Sequence, residues 1–229
     1  RRDRTSALAL QRLGDLYIET GDKVQAWQAY QRAADLAPDD IPLQIKAGGV
    51  LLITRRFEDA RRIAEAVLAK EPTNPQALVL RANALAGLED LDIAINQIRQ
   101  ALELDPGRSE LYSNLGPLEA ASGQLDDAEA TYKKAIEVAP DSGIAHAALG
   151  NFYWASGKGQ LAEQAFLRAL EVEPRNILAH RAAATFYLGA GRPLAAERSL
   201  KFVADHSNEF QARLALGDYY LLTGRREQA

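Results

Sequence analysis

The chain has 229 residues, of which 47% are hydrophobic and 25% are charged, a balance that is ordinary for a folded globular protein. Its formal net charge of -4 argues against a nucleic-acid-binding protein, since such proteins present clustered Lys and Arg. It has no cysteine, which excludes disulfides, thiol nucleophiles and thiolate metal sites, and no run of the roughly 18 apolar residues that span a membrane. We therefore expect neither nucleic-acid nor membrane contact from this segment.

The sequence repeats a unit of 34 residues, and residues 143–176 are its most regular copy. Apolar and small residues keep helical spacing from Leu149 to Tyr153, the pattern breaks at Gly157, and it then resumes until Pro174 ends it. This pattern predicts a helix, a turn and a second helix. One helix pair does not bury its own apolar face, so the sequence predicts a stack of such pairs.

The chain begins with a predicted lead-in of residues 1–6, in which Ser6 is expected to cap the first helix. The first repeat spans 7–40 and the second spans 41–74. In the second repeat Arg55 replaces the turn glycine, the residue that most easily adopts a positive φ, and a pair of glycines weakens the first helix. We therefore expect the second repeat to be looser than the others.

The third and fourth repeats, 75–108 and 109–142, each depart from the pattern at one residue. Arg81 occupies a slot that other repeats fill with Leu, and we expect its stem to cover apolar surface while its guanidinium reaches water. Pro117 lies inside a predicted helix, where it removes one hydrogen bond and should produce a local kink. We interpret the kink as tolerated drift, with a role in shaping a pocket as the alternative.

The last full repeat, 177–209, follows the regular copy, is one residue shorter and has Asn208 in place of the closing proline. Residues 210–229 predict the first helix of a seventh repeat and the start of its second. We expect residues 1–229 to form one array that is a fragment of a longer protein. The apolar face of its last helix favours a monomer or weak self-association through that end.

This spacing resembles that of the tetratricopeptide repeat (TPR), which follows Leu-Gly-x-x-Tyr, Ala, Phe or Tyr, Ala and Pro over 34 residues. The alanine of the second helix recurs in all seven units, as Ala26, Ala60, Ala94, Ala128, Ala162, Ala196 and Ala229. The resemblance implies an all-α fold, a right-handed α-α superhelix (TPR solenoid) of six full helix-turn-helix repeats plus a truncated seventh. It also implies that the first helices line a concave groove that binds peptides or partner helices.

By family analogy, the same few positions of each repeat face this groove. Their side-chain amides and mixed charges suit hydrogen bonding to an extended peptide, and Trp154 is expected to be a flat apolar anchor near Asn151. The residues expected to bind a partner are Asn83, Asn114, Asn151, Trp154, Arg181, Thr185, Asp15 and Asp218. Further groove positions are Arg12, Glu19, Lys46 and Glu110. The alternative is a concave surface that only contacts solvent.

One known mode of binding in the family is disfavoured by the residues themselves. Chaperone-binding members hold a terminal carboxylate with Lys, Arg and Asn side chains, and Asn83 and Asn114 match two of those slots. Val79, Ile144 and Ala148 stand where the basic residues should be, so a carboxylate would lack its countercharge. We therefore reject a chaperone clamp.

The histidines favour packing over metal binding. His146 and His180 occupy the same slot of consecutive repeats, and stacked helices lie about 8–10 Å apart, too far for two side chains to share one ion. His206 lies near a helix end, where the helix dipole favours a cationic imidazole. No phosphate loop, nucleophile elbow or carboxylate pair is present, so we expect no cofactor, no metal and no enzymatic activity from this segment.

The favoured function is a protein-protein interaction scaffold that binds a peptide or partner protein in the concave groove. One alternative is the substrate-recruiting arm of an enzyme whose catalytic domain lies outside residues 1–229, as in some glycosyltransferases. Another is a structural assembly module of a bacterial cell-envelope or exopolysaccharide system, because the alanine-rich and arginine-rich composition resembles bacterial TPR proteins. For localisation, this resemblance favours the bacterial cell envelope or periplasm, with the cytoplasm as the alternative.

Overall fold

The structure is a computed structural model that describes residues 2–207 and 209–228. These residues form thirteen α-helices and one short 3-10 helix, and no strand occurs among them. The helices follow one another as two for each predicted repeat, with α13 as the first helix of the seventh, and the all-α prediction is confirmed. The expectations that fall on Asn208 and Ala229 concern residues outside the described part of the chain.

The first helix of each pair carries an odd number and the second an even number. The helices are α1 (Arg2–Glu19), α2 (Lys23–Leu36), α3 (Ile41–Ile53), α4 (Phe57–Lys70), α5 (Pro75–Gly87), α6 (Leu91–Leu104), α7 (Ser109–Ala121), α8 (Leu125–Val138), α9 (Gly143–Ala155), α10 (Gly159–Val172), α11 (Ile177–Gly189), α12 (Pro193–His206) and α13 (Phe210–Leu222). The 3-10 helix is Arg226–Gln228.

The helices group into two compact units, residues 1–124 and 125–229. In the first unit each helix from α1 to α7 packs against the next, and α5 also contacts both α3 and α7. In the second unit α8 to α13 pack in the same order, and α9 also contacts α11. Each unit is therefore a stack of antiparallel helix pairs in which first helices lie beside first helices.

Small residues let the two helices of a pair approach closely. A Cβ added to Gly14 would lie 2.5 Å from Cδ2 of Tyr30, and one added to Gly150 would lie 2.9 Å from Cε1 of Phe166. In both repeats the aromatic ring follows its glycine by the same spacing along the chain. The Leu-Gly-x-x-Tyr motif is thus explained by a ring on the second helix that occupies the space a side chain on the first would need.

The turns inside the pairs keep one backbone conformation whether or not they contain glycine. Gly157 and Gly191 have φ values of 74° and 69°. Arg55 and Glu89 take the same turn position with φ values of 59° and 72°. Because the left-handed region disfavours side chains that carry a Cβ, these two residues store strain of about 1–2 kcal/mol each.

Near the start of α7, α9 and α11, one side chain binds the carbonyl of a proline in the loop before the helix. Tyr112 donates its hydroxyl to the carbonyl oxygen of Pro106 at 3.0 Å. Nε2 of His146 and of His180 lies 2.9 and 3.0 Å from the equivalent proline carbonyl oxygens. Both histidines are buried, so they have the packing role that the sequence favoured.

Two local expectations, at Ser6 and Arg81, meet a different outcome, and the kink at Pro117 stays a prediction. Ser6 lies inside α1, which begins at Arg2, so the prediction that it caps the helix is wrong. Pro117 lies inside α7, which continues through it for four further residues. Arg81 reaches water only in part, because one of its terminal nitrogens donates to Gln97 and its Nε is buried without a hydrogen-bond partner among the described residues.

Candidate functional site

The first unit has a groove formed by three first helices, α3, α5 and α7, with a cavity of about 410 Å³. We call it the α3–α5–α7 groove. Its apolar floor consists of Ile45, Leu52, Val79, Leu80 and Leu111. Its polar rim consists of Gln76, Asn83, Arg108, Glu110 and Asn114. The floor is suited to burying an apolar group, and the rim carries groups that donate and accept hydrogen bonds.

Two of the predicted asparagines meet on this rim. Nδ2 of Asn83 donates to Oδ1 of Asn114 at 3.4 Å, and Nδ2 of Asn114 donates to the carbonyl oxygen of Glu110 at 2.7 Å. Each amide therefore has hydrogen-bonding capacity beyond the bonds it makes here. Because the asparagines lie on neighbouring helices, they present amide groups side by side, as an extended peptide backbone requires.

Gly49 leaves an opening in the groove, whereas the sequence suggested only that it belongs to a pair of glycines that weakens α3. A Cβ at the adjacent Gly48 would collide with the side chain of Leu80, whereas a Cβ at Gly49 would meet nothing within 4 Å. Gly49 occupies the same repeat position as Asn83 and Asn151. The sequence signal for this opening was therefore a glycine at a repeat position that was predicted to face the groove.

Asp15, another predicted residue, is held by two partners in the first unit. It accepts a hydrogen bond from the hydroxyl of Tyr30 and lies 3.8 Å from Nζ of Lys46. Burial and this hydrogen bond to Asp15 both raise the pKa of Tyr30, so the phenol stays protonated and remains a donor at neutral pH. The ion pair with Asp15 also involves a second predicted groove residue, Lys46.

In the second unit, Asn151 and Trp154 lie together on α9. Asn151 is exposed, whereas Trp154 is half-buried. The indole meets the ring of Phe186 edge to face with centroids 5.7 Å apart, and a Cβ on Gly189 would lie 2.5 Å from its Cζ2. Trp154 therefore packs α9 against α11 with part of the surface that the sequence analysis assigned to a ligand.

Arg181 and Thr185 line a smaller cavity of about 270 Å³ beside α12 and α13. Arg181 forms an ion pair with Glu209 at 2.7 Å and donates to Oγ of Ser207 at 3.2 Å. The hydroxyl of Thr185 donates to the carbonyl oxygen of Arg181, within α11. The polar groups of Arg181 and Thr185 thus form hydrogen bonds or ion pairs within the protein itself. Asp218, in contrast, is exposed on α13.

The predicted residues form separate groups. Asn83 and Asn114 meet in the first unit, Asn151 and Trp154 lie together in the second, and Arg181 lies beside Thr185. In the part of the chain that the structure describes, no group of three His, Asp or Glu side chains suits a metal ion. No helix within residues 2–207 and 209–228 has the length and hydropathy needed to cross a membrane.

Three family models, each described as a tetratricopeptide repeat, match residues 7–40, 51–116 and 113–176. A human protein O-mannosyl-transferase, TMTC1, is 29% identical over 124 residues, which cover 52% of this chain and 14% of the transferase. A thermophilic TPR protein from Thermus thermophilus superposes with a TM-score of 0.69 at 21% identity, over 80% of this chain and 99% of that one. A tetratricopeptide repeat protein from Parabacteroides merdae superposes with a TM-score of 0.59 at 20% sequence identity, over 98% of this chain and 89% of that one. The two structures support the fold alone.

Proposed function

Because the chain belongs to the tetratricopeptide repeat family, whose arrays are protein-protein interaction scaffolds, we propose that it binds an extended peptide segment of a partner protein in the α3–α5–α7 groove. The observation that carries the proposal is the opening at Gly49 beside the paired asparagines. An apolar side chain of the peptide enters the opening, and the asparagines bind its backbone on either side.

The composition of the groove favours a peptide with an apolar anchor. Leu80 and Leu111 in the floor are buried, and Ile45, Leu52 and Val79 are half-buried, so a ligand side chain removes further apolar area from water. The rim carries one cation, Arg108, and one anion, Glu110. This charge balance does not select strongly for peptide charge, and the apolar anchor therefore dominates recognition.

A steric block at Gly49 tests the proposal without disturbing the fold. The groove is first probed with a displayed library of random peptides, and the selected peptides are then titrated against variants. Gly49→Leu places a side chain in the opening and should weaken binding by about tenfold or more, equivalent to about 1.4 kcal/mol. Asn83→Ala should weaken the same peptides by a smaller factor of about three to ten, since one neutral hydrogen bond is lost.

Gly159→Leu is the matched control, because Gly159 also has open space around its Cβ but lies in the second unit. It should leave peptide affinity unchanged. Gly49→Leu should also keep or raise the thermal stability, since glycine is a poor helix former. Selected peptides that bind Gly49→Leu as tightly as the unmodified chain would place the site elsewhere.

The similarity to a protein O-mannosyl-transferase supports a second candidate function, in which the array recruits a substrate for a catalytic domain outside residues 1–229. The chain matches only 14% of the length of that transferase. The two candidates differ in the identity of the bound peptide. In the second, the selected peptides would also be modified by the whole protein, and Gly49→Leu would raise the KM for those peptides with little change in kcat.

A further inference from the structure

A second groove lies between the second helices of the first two pairs, α2 and α4, and α3 forms its floor. Two adjoining cavities of about 400 and 430 Å³ share Ala34, Asp35, Gln44, Ile63 and Ala66, so the groove is continuous. It runs along α2 from Trp27 to Leu36 and ends at Pro38, just after the helix. At the rise of an α-helix the part on α2 is about 14 Å long, or about two and a half helical turns. We call it the α2–α4 groove.

The groove exists because one position of the repeat lacks its usual bulk. Ala34 lies at a position where the next four repeats carry a branched side chain, namely Leu68, Leu102, Ile136 and Leu170. Ala47 of α3 and Ala66 of α4 are also small and line the same space. The missing branched side chain leaves an apolar recess in the middle of the groove, which a ligand side chain of similar size would fill.

One end of the groove carries an excess of positive charge. The guanidinium of Arg56 lies over the indole of Trp27, 4.1 Å from the ring centroid. Nε of Arg56 donates to Asp59 at 2.7 Å, and Arg62 binds the other oxygen of the same carboxylate. Two guanidinium groups therefore share a single carboxylate, which leaves this end suited to an acidic side chain.

The wall formed by α2 carries the opposite charge. Asp35 is exposed beside Ala34, and among the described residues it has no ion pair or side-chain hydrogen bond. At the far end Lys70 and Asp39 form an ion pair at 2.7 Å, which neutralises both groups. Along α2 the groove thus presents a cationic end, an apolar recess and then an anionic wall.

We propose that the α2–α4 groove binds an amphipathic helix of a partner protein, with an apolar side chain in the recess at Ala34. The helix places an acidic side chain against Arg56 and Arg62 and a basic side chain against Asp35. Walls and floor are all helical and carry alanines at the points of contact, so a further helix can approach closely with its ridges in their grooves. This site shares no lining residue with the α3–α5–α7 groove.

The test begins with a displayed library of helical 14-residue peptides that vary at three positions spaced four residues apart, followed by titration of the selected peptides. The selected sequences should carry an apolar residue at the middle position, with an acidic residue at one outer position and a basic residue at the other. Ala34→Leu installs the side chain that the other repeats hold, and it should weaken these peptides by about tenfold or more while the folded state persists. Ala204→Leu changes the same repeat position in the second unit and should have no effect on binding.

A charge exchange keeps the test decisive if Ala34→Leu perturbs the fold. Asp35→Lys changes an exposed side chain, and it should weaken the selected peptides about tenfold and restore binding when their basic residue is replaced by Glu. The proposal fails if the selected peptides tolerate both variants, or if a central proline in the peptide leaves affinity unchanged. It also fails if Gly49→Leu abolishes their binding, or if sedimentation shows that the groove binds a second copy of the chain.

Discussion

The two units join consecutive repeats by different contacts at the same place in the fold. In the second unit, a glutamate on each second helix accepts a hydrogen bond from a tyrosine of the first helix that follows. The same glutamate forms an ion pair with a Lys or Arg in the turn after that first helix. The three sets are Glu129 with Tyr153 and Lys158, Glu163 with Tyr187 and Arg192, and Glu197 with Tyr219 and Arg225. All these oxygens lie 2.7 to 3.3 Å from their donors. We call this series the glutamate ladder.

In the first unit the corresponding positions carry other residues. In the first repeat Trp27 stands at the position of the ladder glutamate, and its indole stacks on the guanidinium of Arg56. In the second repeat Arg61 stands at this position and forms an ion pair with Glu58 of its own helix at 2.8 Å. The comparison shows that very different side chains can occupy this position, where one repeat contacts the next. The unit with the varied joints also contains both proposed grooves, whereas the second unit repeats one directional contact.

The largest expected difference between the units follows from truncating one aromatic side chain in each. Phe166 is fully buried between the helices of its pair, so Phe166→Ala should cost about 3–5 kcal/mol in the free energy of unfolding of the second unit. Trp27→Ala removes a half-buried ring at the wall of a groove and should cost the first unit about 1–2 kcal/mol. Hydrogen exchange resolved by unit measures both values. Equal costs would show that the ring of Trp27 at the groove wall is packed as tightly as the buried ring of Phe166.

A smaller effect is expected at the strained turns of the first unit. Arg55→Gly and Glu89→Gly relieve a positive φ in a residue with a Cβ, so each should stabilise its repeat by about 1 kcal/mol. The matched change in the second unit is Gly157→Ala, which introduces the same strain at φ 74° and should destabilise by a similar amount. Thermal melts followed by unit-resolved hydrogen exchange provide the measurement. A loss of stability in Arg55→Gly would show that Arg55 contributes more through its contacts than it stores as strain.

The smallest effect for each residue concerns acid, because the ladder carboxylates are partly exposed and therefore screened. Hydrogen bonds from Lys133 and Lys158 lower the pKa of Glu129 from 4.5 to about 2. Hydrogen bonds from Arg225 and Lys201 likewise lower the pKa of Glu197 from 4.5 to about 2. A lowered folded-state pKa means that the stabilisation is complete above the ordinary value and is lost as the pH falls toward 2. The free energy of unfolding of the second unit, obtained from amide exchange after correction for the intrinsic exchange rate at each pH, should therefore fall progressively between pH 4.5 and pH 2.

The control for the acid effect is a triple substitution of Glu129, Glu163 and Glu197 by Gln, which keeps the shape of the ladder and removes its titration. The second unit of that variant should be less stable at neutral pH and should respond less to acid over the same range. If the variant and the unmodified chain respond to acid identically, other carboxylates determine the acid response of this unit.

The helices were predictable because their signal is repeated. The copy at 143–176 contains α9, α10 and the turn at Gly157 in the predicted order, and the glycine and aromatic positions that pack a pair recur at fixed spacing. Periodicity identifies which residues face inward, since that depends on helix geometry alone. The resemblance also identified positions that line the α3–α5–α7 groove, among them Asn83 and Asn114.

The grooves themselves were not predictable, because each depends on an absent side chain. Gly49 was interpreted as a weak helix residue, and Ala34 matched the composition of an alanine-rich repeat. Their effect depends on which neighbours surround the empty space, and sequence spacing does not show that. The packing of Trp154 over Gly189 was missed for the same reason, since the two residues belong to different repeats. Ser6 shows a further limit of local signals, because capping residues also occur inside helices.

The link between His180 and the loop before it determines where the imidazole carries its hydrogen. A carbonyl oxygen only accepts, so the contact of Nε2 with Pro174 requires the hydrogen on Nε2. Burial lowers the pKa of His180, so the ring is neutral at pH 7 and its Nδ1 accepts from the hydroxyl of Ser199 at 3.1 Å. The backbone of one repeat thereby selects a single tautomer in the next, and the ¹⁵N shifts of this ring report directly whether the two repeats are docked.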